Sequence, residues 1–195
     1  MEPPTVNQVR SRPYHHGDLR RALLAAAIDE IARSGPSDLS LRDLARQAGV
    51  SHAASTHHFG DKRGLLTAIA TDGYRLLADE LAEAWERTGS FLEVGVAYVS
   101  FAVRQRAHFE VMFRPELYRP DDQALAAARA ASAAVLYQGV ETVRPGDPDF
   151  DRSRAGIAAW ALAHGLATLW LNRVLPASLG DDPEAVARAV LAHLF

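Results

Sequence analysis

The residues most able to do chemistry in this 195-residue chain are its eight histidines, three of which crowd into the stretch SHAASTHHF as His52, His57 and His58. Metal binding is the first chemistry to weigh. Helical zinc ligands sit at i and i+4 so that both imidazoles face one ion. His52 precedes His57 by five positions, and neighbours such as His57 and His58 diverge by about 100° around a helix. The three side chains do not converge. The chain has no cysteine, which removes thiolate ligands, thiol nucleophiles and disulfides. Acid–base catalysis is the second chemistry. His164 follows Trp160 by one helical turn, but no acidic residue lies within a turn of it and no nucleophile motif is present. Nothing in the chain calls for a metal or a cofactor, and an enzyme is not expected. Histidine, serine and threonine on one short helix can still hydrogen-bond to base edges and phosphates.

The elements that must carry these residues are helical throughout. Hydrophobic residues make up 48% of the chain, enough to build a core. Residues 1–16 hold three prolines and no periodicity. They read as a mobile arm that carries Arg10, Arg12, His15 and His16. From Asp18, a plausible N-cap, Leu19, Leu23, Ala26, Ala27, Ile28 and Ile31 recur at helical spacing, and Gly35 with Pro36 ends the run. Ser40 opens a second helix with Asp43 three residues on, a variant of the capping box. Ser51 caps a third helix that ends at Phe59 and Gly60. Asp61 caps again, and a long amphipathic helix starts near Lys62, with Leu65, Leu66, Ile69, Tyr74, Leu77, Leu81 and Trp85 on its buried side. Beyond Gly89 the pattern predicts helices over 90–105, 106–113, 121–143, 150–174 and 182–194, with Pro115, Pro120 and Pro145 at the breaks. The fold class is all-α, with about nine helices.

Residues 40–59 meet the demands of a helix-turn-helix. Ala45 is small where a second helix must cross. Gly49 tolerates the positive φ of a tight turn. Val50 is an apolar plug, and Phe59 closes the core below. Ala54 and His58 share one side of the third helix, while His52, Ala53, Thr56 and His57 project from the other, where a recognition helix meets the major groove.

The stretch SLRDLARQAGVSHAASTHHFGDKRGLL, preceded by LRRALLAAAIDEIARSG, closely resembles the DNA-binding domain of the tetracycline-repressor (TetR) family of transcriptional regulators. The shared core is Gly49-Val50-Ser51, His58-Phe59, Lys62 and Leu65-Leu66. WALAHGLA further on resembles the eighth helix of one regulator subgroup. The sequence departs from the family at Thr56, where tyrosine is usual, and at Ser55, where an apolar residue or proline is usual. The resemblance implies an arm over 1–16, a DNA-binding domain over 17–62 and a helical effector-binding and dimerisation domain over 63–195. It implies a double-stranded operator and a small-molecule effector as partners, and a homodimer joined through the last two long helices. There Ala161, Gly165, Thr168 and Asn172 line one side of the eighth helix, and Val186, Val190 and Leu194 one side of the ninth. The expected DNA-facing residues are Ser40, Arg42, Ser51, His52, Ala53, Thr56, His57 and Lys62. The long helix from Lys62 is the expected lever between the two halves.

Charge is less informative. The chain carries a net charge of −3, which taken alone disfavours nucleic acid. Residues 1–62 hold eight Lys/Arg against seven Asp/Glu, and 63–195 hold thirteen against seventeen, so the balance is +1 in the first part and −4 in the second. No run of about 18 apolar residues is present, so no membrane span is expected. The chain start lacks a signal-like apolar run, and the absence of cysteine fits a cytoplasmic protein.

The middle of the chain is rich in large apolar side chains: Tyr98, Phe101, Phe109, Met112, Phe113, Tyr137, Trp160 and Trp170. Such stripes commonly form plain core. They also suit a ligand pocket, where Tyr98, Tyr137 and His164 would orient the guest. No acidic residue is evident on these faces, so a neutral or weakly acidic apolar effector is expected over a cationic one. The competing reading is a helical small-molecule-binding or interaction protein with weak or lost DNA binding.

Overall fold

A computed structural model describes residues 16–143, 146–147 and 149–193. Arg10, Arg12, His15, Pro145 and Leu194, singled out above, lie outside the described residues. Among those described there are nine α-helices and no strand: α1 (His16–Ser34), α2 (Leu41–Gln47), α3 (His52–Phe59), α4 (Lys62–Thr88), α5 (Phe91–Arg104), α6 (Arg106–Met112), α7 (Gln123–Val140), α8 (Arg152–Leu171) and α9 (Pro183–Leu191). Short 3-10 turns at Pro115–Leu117 and Ala177–Leu179 have no counterpart in the periodicity.

Local chemistry explains most boundaries. Ser40, Ser51 and Asp61 cap α2, α3 and α4, accepting the amides of Asp43 at 3.4 Å, Ala54 at 3.2 Å and Gly64 at 2.8 Å. Asp43 does not complete a reciprocal box; its carboxylate pairs with Arg46 at 3.1 Å. α1 begins at His16, so Asp18 lies inside its first turn and is not the cap. The C-terminal ends of α7, α8 and α9 fall short of the hydrophobic pattern by about three residues. Val143 and Val174 extend that pattern, but both are exposed and win no packing to hold another turn.

The N-terminal unit packs α1, α2 and α3 over Leu23, Ile31, Leu44 and Phe59, all buried. Gly49, at φ +67°, makes the turn between α2 and α3, and the Val50 amide reaches back to the Ala45 carbonyl at 2.9 Å. That positive φ suits glycine, which has no Cβ to clash.

α4 organises the rest. Its Leu65, Leu66 and Ile69 are at most 1% exposed, and burial of each stabilises the fold by ~1.5–3 kcal/mol. Further along, α4 packs against α5, α6 and α7, while α5 packs on α8 and α9. α6 touches α1, so the C-terminal bundle meets the N-terminal unit at a second place besides α4. No helix among the described residues is long and apolar enough to cross a membrane.

Candidate functional site

Two surfaces converge on α4. The first is the outer face of α3. Ser51, His52, Ala53, Thr56 and His57 lie on it, mostly exposed, whereas Ser55 and Phe59 are buried. Ser55 turns inward and donates to the His52 carbonyl at 2.8 Å. Its hydroxyl is thereby satisfied where an apolar side chain would otherwise pack. The rings of His57 and His58 do not simply diverge as their spacing suggests: they meet edge to face, 5.6 Å apart at 88°. Arg20 of α1 lies 5.6 Å from the centre of the Phe59 ring and covers the base of α3. Arg42 is exposed on α2 beside the Ser40 cap. Lys62 donates to the Ser37 carbonyl at 2.5 Å, tying the start of α4 to the loop between α1 and α2. An ammonium has three donors, so this bond leaves others for an anion.

How α3 meets α4 depends on a residue that sequence reading passed over. A Cβ on Gly64 would lie 1.8 Å from the Phe59 carbonyl oxygen. Only glycine allows the first turn of α4 to approach the last turn of α3 this closely. A glycine inside a helix costs about 1 kcal/mol relative to alanine, and that cost was the available signal.

A strap behind this junction was also not foreseen. Arg119 pairs with Asp61 at 3.0 Å, and its amide donates to Thr67 Oγ1 at 3.0 Å. Arg63 donates to the Tyr118 carbonyl at 2.7 Å. The Gly64 amide bond, with help from Arg119, holds the Asp61 carboxyl below its ordinary range. The segment between α6 and α7 therefore grips the first two turns of α4. Neither Arg119 nor Tyr118 belongs to a periodic pattern that would mark it in sequence.

The second surface is a cavity of about 350 Å³ enclosed by α4, α5, α7, α8 and α9. Tyr74, Leu77 and Leu81 of α4 form one wall, and Tyr98 and Phe113 also line it. Leu136, Tyr137, Ile157 and Trp160 line the α7–α8 side. Tyr137 and Trp160 are 42% and 43% exposed, which places them at its rim.

Of the eight residues expected at an effector pocket, Tyr98, Phe113, Tyr137 and Trp160 do line this cavity, while Phe101, Phe109, Met112 and His164 do not. Phe101 and Met112 are fully buried and Phe109 is 6% exposed, all within the core. Helical spacing identifies an inward face but cannot distinguish its cavity-lining part from its packed part. His164 stands one layer back, stacked on Phe109 at 5.1 Å and edge-on to Phe113 at 4.4 Å. Trp160 Nε1 donates to the Tyr98 hydroxyl oxygen at 3.2 Å, and that hydroxyl lies 2.9 Å from His164 Nδ1. The phenolic proton is then free to donate to Nδ1, which suits a neutral imidazole. Burial pushes the His164 pKa down and the Tyr98 pKa up, so both stay uncharged. Trp170 lies elsewhere, beside Arg106 and Leu175. Among the described residues the cavity wall carries one charged side chain, Arg129 of α7, and no acidic one.

Ala161 of α8 and its C-cap Asn172 are exposed, and a Cβ on Gly165 would meet nothing within 4 Å. Ile157, 55% exposed, and Leu169, 45% exposed, add apolar surface to that helix. Val186 was expected on an outward face of α9, yet it is 4% exposed. α9 packs against α5 and turns that side chain into the protomer's own core.

Residues 23–69 match the family model for bacterial regulatory proteins of the tetR family, and residues 91–194 match the tetracyclin repressor-like C-terminal domain. The second match alone spans more than half of the chain. The chain is 29% identical over 180 residues to the HTH-type transcriptional regulator BetI of Escherichia coli O157:H7, covering 85% of this chain and 87% of that protein. A solved structure of a protein of unknown function from Rhodococcus sp. RHA1 is 35% identical, with a TM-score of 0.79, covering 94% of this chain and 96% of that one. A bacterial regulatory protein in the tetR family from Rhodococcus RHA1 shares the fold at 21% identity and a TM-score of 0.71, covering 90% of this chain and 94% of that one.

Proposed function

The chain belongs to the tetracycline-repressor family of DNA-binding transcriptional regulators, and from that membership we propose that it is a dimeric repressor released from its operator by a small apolar effector. Residues 17–62 read DNA, and 63–195 bind the effector and the second copy. Ser51, His52, Ala53, Thr56 and His57 meet base edges and phosphates, while Ser40, Arg42 and Lys62 hold the flanking backbone. The threonine hydroxyl of Thr56 reaches less far than the tyrosine usual there, so its partner is a near phosphate. Tyr98, Phe113, Tyr137 and Trp160 contact the effector; Phe101, Phe109, Met112 and His164 back them. Two copies join through the outward side of α8, where Ala161, Gly165 and Leu169 meet their counterparts, aided by Val190 of α9.

The observation that carries this reading is the continuity of α4. The helix begins at the cap Asp61, directly after the glycine that ends the recognition helix, and the same rigid rod supplies Tyr74, Leu77 and Leu81 to the cavity wall. A guest that pushes on α4 tilts the start of that rod and with it α3. In a dimer, the two recognition helices must enter major grooves ~34–36 Å apart. A small tilt breaks that match. The effector needs only to favour one dimer geometry over the other, by a coupling of about 1–3 kcal/mol.

The test is fluorescence anisotropy on DNA flanking the chain's own coding sequence, with and without apolar compounds. Tight, palindrome-dependent binding that weakens on titration supports the proposal. A chain that binds compounds but no DNA in the flanking region would overturn it in favour of a small-molecule-binding protein.

A further inference from the structure

Arg129 is the one charged side chain on the cavity wall among the described residues. It is half-buried on α7. Its guanidinium lies 5.4 Å from the ring centres of both Tyr74 and Tyr118, and Nη2 donates to the Tyr118 hydroxyl. Both tyrosines are themselves pinned, donating to the Met112 carbonyl at 3.1 Å and 2.8 Å. No carboxylate pairs with Arg129 among the described residues. A guanidinium has five donors in a planar fork. Here the aromatic rings fix its position without neutralising its charge.

Apart from the Tyr137 hydroxyl at the rim, the other polar side chains of the cavity are already occupied. The Ser132 hydroxyl donates to the Arg129 carbonyl at 3.0 Å, and Trp160 Nε1 is spent on Tyr98. A cation in apolar surroundings without an anion is costly, and an oxyanion matched to the fork removes that cost. The rest of the wall, with Leu77, Leu81, Leu136 and Ile157, suits only hydrocarbon. The volume of about 350 Å³ is near the lower end of the ~300–1,000 Å³ common for small-molecule sites.

Building on the effector role of this cavity, we propose that its ligand is an apolar monocarboxylate, with the carboxylate on the Arg129 fork and the hydrocarbon body running toward Trp160. The group that selects the ligand is Arg129, not the histidine or the tyrosines of the aromatic pile. Alcohols, amides and amines of the same skeleton lack the charge that the fork requires.

The test titrates the full-length protein, without DNA, with decanoate and phenylbutyrate, and with the matching alcohols and amines, following tryptophan fluorescence. A carboxylate binds tenfold or more tighter than its alcohol, a difference of about 1.4 kcal/mol or more. In Arg129→Gln that preference falls to within about twofold, whereas Arg129→Lys, which keeps the charge but not the fork, retains it in part. The proposal is overturned if carboxylate and alcohol bind alike, if neither binds, or if the preference survives in a folded Arg129→Gln. Should Arg129→Gln fail to fold, the wild-type ranking of carboxylate against alcohol and amine decides. Because the readout excludes DNA, a chain that binds carboxylates but no operator sinks the repressor reading and leaves this one standing. Release from DNA by alcohols and amines as readily as by carboxylates does the reverse.

Discussion

A methyl group on Gly64 would stand 1.8 Å from the Phe59 carbonyl oxygen, a backbone atom that has nowhere to go. Gly64→Ala must therefore push α3 away from α4. We expect a stability loss of about 1–3 kcal/mol by thermal melting, with a larger proportional loss of operator affinity because the recognition helix is the part displaced. Unchanged melting would show that α3 yields freely. His52 stands exposed at the front of the same helix, and His52→Ala is expected to relax preference at one base pair per half-site by ~1–3 kcal/mol. An operator-variant library with an unaltered profile would remove His52 from the reading face. Two histidines shielded from water, His108 fully and His164 in part, contribute to the pH response. Burial holds His108 and His164 below the ordinary histidine value, with Asp72 opposing it at His108. The fold thus favours the neutral rings. Their contribution is complete above about pH 6.5 and is lost as pH falls from there through the folded-state values. Melting temperature should drop on going from about pH 7 to about pH 5, and less so in a His108→Gln/His164→Gln double variant. Carboxylates held low, such as Asp61, titrate below this window. An equal drop in both proteins would refute the assignment.

At the scale of elements, α8 has two faces with different duties. Gly156, Ala159, Ala163 and Ala167 are buried against the protomer, while Ala161 and Leu169 face outward. Gly165 lies near that outward side and has open space at its Cβ position. Within one protomer, Gly165→Glu costs nothing in packing and gains helix propensity. In a dimer joined through α8 it places two like charges at a close approach. Sedimentation should therefore find the variant shifted to monomer while circular dichroism keeps its helix content. A variant that remains dimeric would move the interface off this face. The same two-faced logic explains why Val186 misled the pattern. Spacing alone assigns it to an apolar side of α9, but α5 claimed that side first.

For the molecule as a whole, a net charge of −3 makes non-specific attraction to DNA weak, so a few local cations must supply it. Lys62 is the best placed, since its bond to the Ser37 carbonyl holds it at the junction of α1, α2 and α4. Lys62→Ala is expected to weaken binding to all sequences alike and to lower the slope of log affinity against log salt by about one unit. Anisotropy titrations at several salt concentrations measure this. A loss confined to one base position would mean that Lys62 reads sequence and does not grip phosphate.

Helix number, the turn at Gly49, the caps at Ser40, Ser51 and Asp61, and the buried side of α4 were all legible from residue order. Each depends on interactions within a few positions: a side-chain oxygen reaching an amide three residues on, a positive φ at a glycine, an apolar side chain every third or fourth place. The outward set on α3 was legible for the same reason. What periodicity left undecided was which apolar residues face a void and which face each other. Phe101 and Phe113 look alike in sequence, yet one is core and the other cavity wall. Arg129 gave no sign at all, because its meaning comes from Tyr74 and Tyr118, 55 and 11 positions away and brought beside it only by the packing of α7 on α4. Neighbouring residues specify the helices and the outward face of α3, since local geometry depends on side chains a few positions apart. The cavity, its single cation and the Arg119–Asp61 strap were decided by tertiary structure, because each is made of side chains that only long-range packing brings together.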